Sequence, residues 1–137
     1  MTVQESAKNT LSTLKIALPM IFGILLLLSI LNPVFETYYP RIFTGNFFID
    51  PVIGALAGSI AFGIPITSYI AGGELLKEGV SLLAVTAFIL SWTTVGVAML
   101  PIEIKFLGRR FAILRNAINF VNAIVIAVIV ILVLKIW

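Results

Sequence analysis

The segment GSIAFGIPITSYIAGGELLKEGV, residues 58–80, carries the contradiction on which the fold turns. It is apolar enough for hydrocarbon, yet Gly63, Pro65, Gly72 and Gly73 interrupt it, and Glu74, Lys77 and Glu78 follow near its end. Proline removes a backbone donor, and glycine weakens a helix while permitting close approach or positive φ. A helix broken inside a bilayer frees amides and carbonyls that lipid cannot satisfy. Such a break is stable only against protein or beside a wet cavity. The segment therefore reads as a discontinuous helix that either crosses a membrane with an interruption or turns back within it.

Composition places this segment in a lipid setting. Of 137 residues, 61% are hydrophobic and 11% charged, against roughly a quarter charged in soluble domains. So few polar groups cannot cover a surface facing water, and the lipid bilayer is the expected solvent. The net charge is +3, and the basic residues flank apolar runs rather than forming an aromatic-laced patch, which argues against nucleic acid as a partner. Cys and His are both absent, excluding disulfides, thiolate metal sites and imidazole acid–base chemistry. No metal or cofactor is expected. An intramembrane enzyme would need Glu74, Glu103 or a serine–lysine pair, and none has a persuasive spacing, so the chain is not expected to be an enzyme.

Around the broken segment stand three further apolar runs. The sequence predicts membrane segments at about 14–31, 51–70, 80–100 and 117–136, each near the ~20 residues that cross a ~30 Å core. The first run is longer than a signal-peptide core and lacks a small-x-small site after it, so it reads as a retained span. Residues 32–50 are rich in Phe and Tyr and read as an interfacial loop. Residues 102–115 space Ile104, Leu107, Phe111 and Leu114 as one apolar face, with Lys105, Arg109 and Arg110 elsewhere, which predicts an interfacial amphipathic helix. The expectation is an all-α polytopic protein, one unit over 1–137, with about four membrane segments and one broken or re-entrant helix. Four spans would nearly balance the basic residues on the two sides, permitting dual insertion and an antiparallel homodimer. Three would place Lys8, Lys15, Lys105, Arg109, Arg110 and Arg115 together on the cytoplasmic side.

Polar residues inside apolar runs are the candidate site. After the break, Thr67 and Ser68 follow Gly63 and Pro65, and freed carbonyls with these hydroxyls could coordinate a solute. Hydroxyls bonding back to their own helix are the competing reading. Trp92, Thr93 and Thr94 sit in SWTTVG, as a polar facet toward a cavity or as glue between helices. Arg115, Asn119 and Asn122 follow i, i+4, i+7 spacing as a stripe that should face protein or water. Arg115 is expected to pair with Glu103 or a lipid phosphate. Glu74 could cap a short helix, although a solvated charge at the interface is the favoured reading, and GALAG, residues 54–58, is a small-xxx-small pattern for helix packing.

The ordered set GSIAFGIP, GELLKEGVS, AFILSWTTVG, LPIE and LGRRFAILRN resembles half-length members of the predicted-permease family that includes the ArsP and YraQ proteins. The resemblance covers roughly residues 54–133. It implies transport of a small solute or ion, with two copies of the unit where longer relatives carry two halves, in the cytoplasmic membrane. It maps the family's recurring positions onto Gly63 and Pro65, Trp92 to Thr94, Pro101 and Glu103, and Leu107, Gly108, Phe111 and Arg115. Some ArsP proteins export organic arsenicals, but a chain without cysteine offers no thiolate for arsenic, and that substrate does not carry over. The alternative expectation is a membrane subunit that transports nothing and anchors a partner complex.

Overall fold

The computed structural model describes residues 3–61 and 65–136, and along part of the first helix the backbone alone. Among these residues the chain forms six α-helices and no strand: α1 (Val3–Tyr38), α2 (Asp50–Ile60), α3 (Pro65–Lys77), α4 (Leu82–Thr94), α5 (Leu100–Leu107) and α6 (Arg109–Ile136). A 3-10 turn, Tyr39–Ile42, follows α1. By length and composition, α6 is the one helix among the described residues that qualifies to cross a membrane.

Element boundaries differ from the expectation wherever a turn signal falls inside an apolar run. The run at 14–31 lies within α1, which continues through Pro19 and Pro33 to Tyr38. The run at 51–70 is divided between α2 and α3: Ala61, at φ −62 and ψ 149, leaves the helix extended, and Gly63 lies outside the described residues. The run at 80–100 is cut at Val95, also extended, so α4 is only 13 residues, or about 20 Å, short of a ~30 Å core. The amphipathic helix expected at 102–115 is split at Gly108, whose φ of +87 ends α5. Arg109, Arg110 and Arg115 therefore belong to α6, which starts ahead of the expected 117–136 span.

Local chemistry accounts for these starts and stops. Pro51 and Pro101 open α2 and α5, where a missing N–H is harmless. Ser81 caps α4, accepting from the Ala84 N–H. The end of α3 is a Schellman motif: Val80 N donates to Leu75 O and Gly79 N to Leu76 O, with Gly79 at φ +88 and Val80 packed in one core with Leu75. Glu74 thus sits in the last turn of α3, paired with Lys77 at 2.7 Å on the surface, and does not cap a new helix. Asp50 is buried at the head of α2. Its carboxylate accepts from Thr44 N, Thr44 Oγ1 and Gly45 N at 2.9 Å, tying the preceding loop to the bundle.

Packing centres on α4. It is apolar along most of its length and touches α2, α3 and α6, with cores on two sides. Gly54 lies against the Ala84 carbonyl and Gly58 against the Phe88 carbonyl, so α2 and α4 run in the same direction. A Cβ on Gly54 would stand 2.3 Å from Ala84 O, and one on Gly58 2.2 Å from Phe88 O. The GALAG pattern is therefore a backbone-to-backbone contact, sealed by Ser91 Oγ donating to Ala55 O at 2.6 Å. With short links at both ends, α3 must return antiparallel to α4, and Gly72 packs on Val85 and Ile89. Asn119 bonds Thr94, while Ala127 shares a core with Leu83 and Ala87, so α6 is also antiparallel to α4.

Gly58→Ala should lower the melting temperature of the detergent-solubilised protein by the equivalent of about 1–3 kcal/mol, because the added methyl meets backbone that cannot swing aside. Gly73→Ala, with nothing within 4 Å, should leave it unchanged or raise it.

Candidate functional site

The end of α2 meets the interruption after α4. Since α2 and α4 are parallel and level, the extended residue after α2, Ala61, arrives beside Trp92 near the end of α4. Both border a cleft of about 210 Å³, further lined by Thr93, Thr94, Val95, Gly96, Met99, Glu103 and Arg115. One wall is the break after α4, another the first turn of α5, and a third the start of α6.

The polar floor is held by Asn116, which is 7% exposed. Its Oδ1 accepts from Gly96 N at 2.8 Å, and its Nδ2 donates to Glu103 Oε2 at 2.8 Å and to Ala112 O at 2.9 Å. One amide thus ties the post-α4 turn, α5 and α6 together. The other Glu103 oxygen, Oε1, accepts from Arg115 Nη1. Glu103 lies in the first turn of α5, where the helix dipole favours a carboxylate. Its side chain is 13% exposed and that of Arg115 36%, so the carboxylate is almost enclosed while the guanidinium, a donor-only group, is the more open of the two.

The hydroxyls have a more local role than a cavity-facing facet would give them. Thr93 Oγ1 donates to Ile89 O and Leu90 O, and Thr94 Oγ1 to Leu90 O at 2.7 Å. With their protons committed, the threonines present acceptor lone pairs, against the donors of Arg115. A cleft so built suits a small polar solute able both to give and to take hydrogen bonds. Among the described residues no cluster of three or more His, Cys, Asp or Glu side chains could hold a metal ion.

Of the expected site residues, Trp92, Thr93, Thr94, Glu103 and Arg115 come together at the cleft, though Trp92 is mostly core, edge-to-face with Phe88 at 5.4 Å. Asn119 adjoins it, donating to Thr94 O at 3.0 Å. Pro65, Thr67 and Ser68 do not line it: Pro65 is exposed, Thr67 half-buried, and Ser68 buried with its Oγ bonded to Pro65 O at 2.7 Å. The stripe Arg115, Asn119, Asn122 separates, two members bonding within the bundle and Asn122 lying exposed. Asn116 is the residue that spacing alone did not single out. Its signal was present in the small residues Ala112, Ala123 and Ala127, which with Asn116 make up the buried face of α6.

Comparison with models of known families, with curated proteins and with solved structures finds no match.

Replacing Asn116 with Leu should destabilise the protein by about 1–3 kcal/mol, because the Gly96 N–H loses its partner and the nearly enclosed Glu103 carboxylate keeps only Arg115. Thermal unfolding in detergent reads this directly. Asn122→Leu, on an exposed position, should leave the monomer's unfolding midpoint nearly unchanged.

Proposed function

We propose that this chain is a multi-pass permease unit of the cytoplasmic membrane that moves a small polar solute or ion as a homodimer, through the cleft where its two helix breaks converge. The convergence itself carries the reading. Broken helices whose ends gather around a polar cleft are how membrane transporters form solute sites, because freed backbone and fixed dipoles replace a solute's water. The ordered motif resemblance supports the same reading. In this account α1 and α6 span the bilayer, and α2 and α3 form a re-entrant down-and-up hairpin rather than one interrupted crossing. With α4 they are too short to cross singly.

The cleft lies level with Ala112 to Asn119 of α6, at the shallow end of its apolar run, rather than at mid-depth. A solute would therefore enter from one face, with the Glu103–Arg115 pair as its charged boundary. An ionisable pair within a membrane segment is by default a candidate for a polar solute's path, which supports the same reading.

Osmotic light scattering of proteoliposomes tests this whatever the solute. Gradients of small neutral, anionic and cationic solutes should include at least one whose permeation exceeds that of empty vesicles. Thr93→Trp, which fills the opening, should abolish that excess while the protein remains folded. A full panel indistinguishable from empty vesicles would remove the permease reading and leave a membrane subunit that anchors a partner.

A further inference from the structure

The face of α6 turned away from the bundle has a repeat that the intrachain packing does not use. Ile118, Asn122, Val125, Ile129, Leu132 and Ile136 follow alternating four- and three-residue steps, and all are exposed. They lie about half a turn round the helix from the buried Ala112, Asn116, Ala123 and Ala127. Spacing of 3.5 residues is the signature of a helix meeting another along a seam. Two shallow hollows lie along the first turns of this face. One of about 230 Å³ is bordered by Phe111, Leu114, Arg115, Ile118 and Asn119, and one of about 270 Å³ by Ala117, Ile118, Val121 and Asn122. The first four residues stand at i, i+3, i+4 and i+7, the outline of a hole that receives a side chain from a facing helix.

Asn122 makes no hydrogen bond among the described residues, and it lies one turn inside the apolar run of α6. An amide left bare at that depth is strongly disfavoured. It carries both a donor and an acceptor, so the same amide on a copy related by a two-fold axis satisfies it reciprocally.

We infer that two copies of this chain associate through α6, in parallel, along the seam from Ile118 to Leu132, with the Asn122 amides bonded across the axis. This rests on the homodimer and membrane-span parts of the function proposed above and deepens them by fixing the interface and orientation. Antiparallel copies would set Asn122 opposite the far half of the helix, where its partner amide is absent.

The chain has no cysteine, so single substitutions report cleanly. In native membranes, oxidation should link copies of Val125→Cys, Ile129→Cys and Leu132→Cys, while Ile126→Cys and Val130→Cys stay monomeric on gels. By energy transfer between labelled copies diluted in lipid, Asn122→Ala should weaken association about 3- to 30-fold, and Asn122→Gln should largely retain it. Linking at 126 and 130 as readily as on the seam, or association unaffected by Asn122→Ala, would overturn the inference. Neither readout involves flux: seam-linked dimers that pass no solute leave the inference standing, and solute flux from dimers joined elsewhere overturns it alone.

Discussion

The contact on which the rest of the bundle depends is the bare approach of α2 to α4. Gly54 and Gly58 have no side chains, and this lets the carbonyls of Ala84 and Phe88 lie where a methyl group would otherwise stand. On the proposed membrane reading, apolar surface gains little from leaving one hydrocarbon for another, and close van der Waals packing and interhelical hydrogen bonds become the main cohesive terms. The Ser91 hydroxyl supplies such a bond to Ala55 at the same interface. That contact sets α2 and α4 parallel and level. From this register it follows that Ala61, the first residue after α2, comes level with the last turn of α4, and it borders the same cleft as Val95.

This end of the bundle would be an uncapped, polar defect were it not closed from below. Asn116 satisfies the Gly96 amide and one Glu103 oxygen, and Arg115 satisfies the other. Removing one member of such a network leaves its partners desolvated and unpaired, which is worse than never having had them. The same arrangement leaves donors on Arg115 and acceptors on Thr93 and Thr94 at an opening of about 210 Å³. Structure and opportunity for binding are thus adjacent: Gly96, Glu103 and Arg115 belong both to the network that holds the helix ends and to the lining of the cleft, with Asn116 behind them.

Much of this could be read from residue order, and the failures have physical causes. The break near Pro65 and the glycine pattern GALAG were legible because proline and paired glycines act locally. The break after Thr94 was not, since Val95 and Gly96 sit in a run whose apolar content alone spells one span. The turn that follows is held by the long-range bond from Gly96 N to Asn116 Oδ1, and that partner is not evident from local pattern. Likewise, Arg115, Asn119 and Asn122 share a stripe by spacing but not by partner: Arg115 and Asn119 turn to α5 and α4, and Asn122 turns outward. Thr67 and Ser68 looked available because they follow a proline, yet α3 begins at Pro65 itself and the Ser68 hydroxyl is taken up by that first turn.

The central claim, that the two helix ends enclose a hydrated cleft within an otherwise lipid-facing bundle, is tested most directly by site-directed spin labelling in bilayers. A nitroxide at position 93 should collide more often with a water-soluble nickel chelate than with oxygen, while one at Leu56, half exposed on the outer face of α2, should show the reverse. If the label at 93 instead matches the oxygen-rich behaviour of the label at 56, the cleft faces acyl chains and the account is contradicted.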